Sequence, residues 1–248
     1  MGLPFQDPPL VQAVCELRFS PDSQWDITVP GLFYDTRNWK TEFPLREQQT
    51  HNQFQLDSQT QQMAFGVMPE VRVVLWNSEK NRSITLGINT LILASTSPYP
   101  GWLEFRELIK TALADYRQVA APHGLARVGL RYINAIRQVE ALTQIEDYTT
   151  AWPRIPLEEN KNKNWASWAQ RVEVLRQDLS GLLVIQTGCN VPDPNLPPAV
   201  MLDFDALSMQ TPLDELSDWL ELAHEAIEET FLQSLTTQAR QLFGETKL

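Results

Sequence analysis

Alternation of period two opens the chain. Between Leu10 and Phe19, Cys15, Leu17 and Phe19 point one way and Val14, Glu16 and Arg18 the other, the pattern of a strand with one buried face. A Pro-punctuated stretch through Pro30 leads to a short helical segment over 31–39, ended by Phe43-Pro44. The Gln-rich residues 48–62 include Phe54 and Leu56 and read as an exposed strand with long turns. Three strands are expected next, at 63–68, 71–76 and 83–93, separated by Pro69-Glu70 and by a turn over 77–82.

At residue 101 the period changes. Trp102, Phe105, Ile109, Ala112 and Tyr116 recur at three- and four-residue spacings, predicting a helix over 101–119 that Pro122 and Gly124 stop. A strand over 126–137 follows, with Val128, Leu130 and Tyr132 on one side and Arg131 and Ile133 on the other. The connector, with Pro153, Pro156 and a polar run at 158–164, is expected to be an exposed loop or a halfway boundary. Strands at 166–176, 182–188 and 199–207 then lead to a long helix from about Pro212, with Leu216, Leu220, Ala223, Ile227, Phe231 and Leu235 along one stripe.

This order predicts an α+β fold: an antiparallel sheet, or two abutting sheets, with two long amphipathic helices packed on one face. Both halves run strands then helix, and each helix begins near a Trp-Leu-Glu triplet, at 102–104 and 219–221. A diverged duplication is one reading and chance recurrence of a common pattern the other. The division is a half at 1–139, a connector at 140–165 and a half at 166–248, within one compact domain.

Composition narrows the function classes. The 248 residues carry 31 acidic against 20 basic side chains, a formal charge of −11, with no Lys/Arg run. Such a field repels phosphate backbones, so neither duplex nucleic acid nor an anionic membrane is expected, while a protein partner, basic in character, is permitted. No run reaches the roughly 18 apolar residues of a membrane span, and the first residues lack a secretory pattern, so a cytoplasmic protein is expected. Eight Trp are candidate aromatic anchors for a partner. Cys15 and Cys189 have no second ligand at metal spacing and read as buried thiols. Phosphate-loop, dinucleotide, nucleophile-elbow and zinc signatures are absent, and no cofactor is expected.

Three places carry candidate chemistry. Arg131 and Asn134 stand in Gly129-Leu130-Arg131-Tyr132-Ile133-Asn134, an otherwise apolar strand. A buried guanidinium must be paired, and Glu16 on the first strand is the candidate partner. One reading is a structural ion pair that fixes strand order. The other is an anion or carboxylate site built from Glu16, Arg131, Tyr132 and Asn134. Leu202-Asp203-Phe204-Asp205 sets two carboxylates on one strand face, where they form either an ordinary solvated surface or a site for a hard cation such as Mg2+. His224 lies at the edge of the last helix's apolar stripe and reads as a structural histidine, since neither His51 nor His123 is placed to share a metal with it.

A wider set of residues runs in order through the chain: Pro8-Pro9-Leu10-Val11, Val14 to Phe19, Gly87-Ile88-Asn89 with Leu91, Tyr99, Trp102, Phe105, the Gly129 to Asn134 element, Asp147-Tyr148, Leu202 to Asp205, His224 and Phe231. Together they resemble a sporadically distributed bacterial family of similar length, marked by a central G-L-R-Y-I-N strand and with no assigned activity. Cys15 stands where an aliphatic residue is expected, which leaves the strand reading intact. The family's patchy occurrence is like that of accessory genes on mobile, stress-response or anti-phage cassettes. The resemblance therefore implies a non-enzymatic protein-binding or regulatory module. The competing expectation is a small-ligand or metal-dependent enzyme site around Arg131/Asn134 and Asp203/Asp205.

Overall fold

The computed structural model describes residues 5–21, 25–53, 68–137, 142–154, 167–190, 199–209 and 211–245. Its strands are β1 (Leu10–Phe19), β2 (Leu45–Gln53), β3 (Met68–Trp76), β4 (Arg82–Gly87), β5 (Thr90–Thr96), β6 (Leu125–Ile136), β7 (Trp168–Arg176), β8 (Gly181–Asn190) and β9 (Ala199–Ser208). The helices are α1 (Val29–Thr36), α2 (Trp39–Glu42), α3 (Trp102–Ala120), α4 (Leu216–Ser234) and α5 (Thr237–Leu242). All nine strands join one sheet in the order β2-β3-β4-β5-β1-β6-β9-β8-β7, and every neighbouring pair is antiparallel. The fold is therefore α+β, built on one large open sheet with few helices.

Two predicted boundaries move. The run expected as a single strand over 83–93 folds as the hairpin β4–β5, whose two-residue turn puts Asn89 at φ 49°, a left-handed conformation that Asn tolerates better than most residues. Pro69-Glu70, expected to separate strands, lies inside β3, where Pro69 faces Asn52 of β2. Residues 63–67 of one expected strand, residues 54–62 of the Gln-rich stretch, residues 140–141 and 155–165 of the connector and residue 166 of the strand expected after it lie outside the described residues.

Outward from the central β1–β6 pair, the two sides of the sheet follow the same chain order. One side runs β1, β5, β4, β3 and the other β6, β9, β8, β7, and β2 extends the first edge. One face carries the core. Residues such as Leu17, Leu91, Leu130, Phe204 and Ala206 are fully buried there; the predicted stripes of the two long helices, from Trp102 to Tyr116 and from Leu216 to Leu235, are buried as well. Tyr116 of α3 stacks on Phe19 with ring centroids 4.7 Å apart, and Phe231 of α4 meets Phe204 edge-on. At the near ends of these helices Glu221 accepts from the Trp102 indole at 2.9 Å and pairs with Arg106. Burial alone would raise the Glu221 pKa, but those two donors outweigh it and hold it below the usual carboxylate range. No helix among the described residues is long and apolar enough to cross a membrane. Both thiols are free and buried, and burial pushes the Cys15 pKa far up.

Candidate functional site

The alternation along β6 divides the predicted site between the two faces of the sheet. Tyr132 lies opposite Ala13 and Phe204, on the core face, and Asn134 lies two residues further along that face. Arg131 lies opposite Val14 and Asp205, on the outer face. Arg131 is thus not brought together with Tyr132 and Asn134, because side chains one residue apart on a strand point to opposite sides.

On the outer face Arg131 pairs with Asp203, not Glu16. Its Nε donates to Asp203 Oδ1 at 2.8 Å and its Nη2 to Oδ2 at 2.5 Å, a bidentate geometry. Register explains the difference from the sequence expectation. Glu16 lies opposite Gly129, and its carboxylate is taken by Arg127 and Arg18. Asp205 completes the row 3.8 Å from Arg127. Gln186 of β8 adds a 3.2 Å bond to Asp203. A Cβ at Gly129 would lie 3.4 Å from Arg127 Nη2 and 3.5 Å from Asp205 Oδ1, so the first residue of the hallmark leaves room for the charged side chains to lie across β6. Hydrogen bonding to Asp203 lifts the Arg131 pKa. Burial raises that of Asp205, although Arg127 and Arg131 oppose the shift. Asp203 and Asp205 do share the predicted face, but a guanidinium stands where a metal reading would put the cation. Among the described residues no group of three or more His, Cys, Asp or Glu side chains has the geometry to hold a metal ion.

The core face holds a second polar cluster that sequence reasoning left dispersed. Tyr132 and Tyr99 share a hydroxyl hydrogen bond of 2.9 Å, and the Asn134 amide donates to the Leu202 carbonyl at 3.2 Å. His224 stacks on Trp102 at 4.4 Å and meets Tyr132 edge-on at 5.9 Å. Burial drives its pKa down to about 4, and burial also raises that of Glu228. Tyr132, Asn134, His224 and Glu228, with Ile227 and Phe231, line a cavity of about 20 Å³, room for one water molecule and no more. A larger concavity of about 520 Å³ lies where Asp7, Thr96, Arg137 and Phe243 converge, and none of the predicted site residues reaches it.

Charge, by contrast, is sharply segregated. Residues 177–239 contain eleven acidic side chains and no Lys or Arg, so this stretch holds the whole excess of −11 and the rest of the chain is balanced. Within it, Asp218, Glu225 and Glu229 are exposed at spacings of seven and four, along the side of α4 away from its buried stripe, with the exposed Leu222 among them, and the exposed Asp214 lies in the turn before the helix. α3, of equal length, interleaves three acidic with three basic residues. Glu225 and Glu229, like charges at i, i+4, cost the helix about 0.2–0.5 kcal/mol, whereas Asp218 in the first turn interacts favourably with the helix dipole. The tryptophans do not supply surface anchors: of the seven described, Trp39, Trp102, Trp168 and Trp219 are buried and the others half-buried.

No family model matches the chain, and no curated protein matches it.

Proposed function

We propose that the protein is a non-enzymatic protein-binding or regulatory module that takes a basic partner on the outward side of α4. The observation that carries this reading is the concentration of the entire charge excess in one stretch, whose helix exposes Asp218, Glu225 and Glu229 along one side with the apolar Leu222 among them. An acidic stripe of this kind steers a basic chain and fixes its orientation, and Leu222 supplies a desolvated contact point. In the same reading α3 and α4 form one helical layer over the core face, and the two halves of the sheet descend from a duplicated strands-then-helix unit, which the repeated strand order supports. The outer-face ion pairs then hold β1, β6 and β9 in register, and the resemblance suggests a protein encoded beside this one as the first partner to test.

The test is capture from the native cells at low salt followed by a salt gradient. A stoichiometric basic protein that leaves as ionic strength rises is expected, because exposed charge pairs beyond a Debye length of about 8 Å are screened near 0.15 M. Recovery of the protein alone at low salt, or of a partner indifferent to salt, contradicts the reading.

A further inference from the structure

The two edges of the sheet differ in kind. β2 is polar and begins Leu45-Arg46-Glu47-Gln48-Gln49, the blunting common on free edges. β7 carries Arg171, Glu173 and Arg176 but sets them among apolar residues; its nine residues pair with β8 in unbroken register without a bulge, and no described strand pairs with its other side. Val172, Val174 and Leu175 are 46%, 38% and 83% exposed on it. A long, regular strand with exposed apolar side chains and an open row of backbone donors and acceptors is a template for another strand.

The sequence of β7 selects its own copy. Its midpoint is Val172, so an antiparallel copy centred there overlaps all nine residues, Trp168 facing Arg176. In that register Arg171 of each copy lies opposite Glu173 of the other, Val172 lies opposite itself and Val174 opposite Gln170. Shifting the centre to Glu173 or Arg171 sets like charges directly opposite. Full overlap and charge matching thus fall at one register; within the single chain Arg171 and Glu173 pair with each other at 2.8 Å, and in this register each also faces the opposite charge of the second copy. We infer that two copies of this chain associate through β7 about a two-fold axis at Val172, continuing the sheet from one copy into the next. The interface is isologous, which closes the assembly at a dimer. It uses an element that the α4 reading leaves free, so either inference stands without the other.

Sedimentation equilibrium of the full chain and two variants tests it. Wild type is expected to be a dimer. Arg171→Glu and Glu173→Arg, both at exposed positions, each place like charges opposite one another twice and raise the dimer dissociation constant by at least about tenfold. An equimolar mixture of the two variants restores Arg opposite Glu at both sites and gives a one-to-one heterodimer. That rescue excludes misfolding as the cause of either loss. A monomeric wild type at 100 µM, or a mixture that stays as dissociated as its components, overturns the inference.

Discussion

Lowering the pH from 7.5 to 4.5 is expected to cost the wild-type protein about 2 to 3 kcal/mol of stability through His224 alone. In the folded state burial between α4 and the sheet disfavours the imidazolium, taking the pKa from its ordinary 6.5 to about 4. The unfolded chain therefore binds the proton first. The contribution is present in full above pH 6.5, falls as pH drops through the window between 6.5 and about 4, and changes no further below it. Two carboxylates act on the same neighbourhood. Glu221, near His224 on α4, favours the charged imidazole and is included in that value. Glu228, whose own pKa burial raises, adds stability with the opposite sign as it protonates. His224→Phe keeps the ring over Trp102 and removes the proton site. Urea unfolding of both proteins at pH 7.5, 6 and 4.5 isolates the effect: the variant gains relative to wild type as pH falls. Parallel curves would mean that His224 is not kept neutral by its surroundings.

The second large effect concerns the hallmark strand. Asp203→Ala is expected to destabilise the protein by about 2 kcal/mol, because it leaves Arg131 without its bidentate partner. Breaking a fully buried pair costs more, about 3–5 kcal/mol, but Arg131 is 42% exposed and water recovers part of the loss. Removing both charges in Arg131→Met/Asp203→Leu leaves no orphaned charge, only the half-buried Gln186 amide without its acceptor, and is expected to return stability to within about 1 kcal/mol of wild type. Denaturant midpoints for Arg131→Met, Asp203→Leu and the double variant give the coupling. Additive losses would show that the pair contributes nothing to the fold and would free Arg131 for recognition.

What the sequence disclosed and what it withheld follow from the range of the interactions. Local periodicity sufficed for the faces of β1, from Cys15 to Phe19, and for the stripes of α3 and α4, because one buried side imposes its own period. It also put Asp203 and Asp205 on one face. Partner choice was out of reach, since Glu16 and Asp203 are equally plausible for Arg131 until register sets Glu16 opposite Gly129. The β4–β5 turn was overlooked because Ile88 is apolar and hides a two-residue loop whose signal is Asn89 alone. Tyr132, Asn134 and His224 were each noted, but only the packing of α4 on β6 and β9 joins them. The acidic stretch is a different case: the absence of Lys and Arg from 177 to 239 stands in the sequence itself, and only averaging over the whole chain concealed it.

The most direct test sets the two polar regions against each other in one capture experiment from native cells. Asp218→Lys/Glu225→Lys/Glu229→Lys reverses the exposed side of α4, and Arg131→Met/Asp203→Leu removes the outer-face pair. Loss of the basic partner from the first variant and its full retention by the second is the result the binding-module account predicts. A partner kept by the reversed helix but lost with Arg131 and Asp203 would contradict it and return recognition to the outer face of β6 and β9.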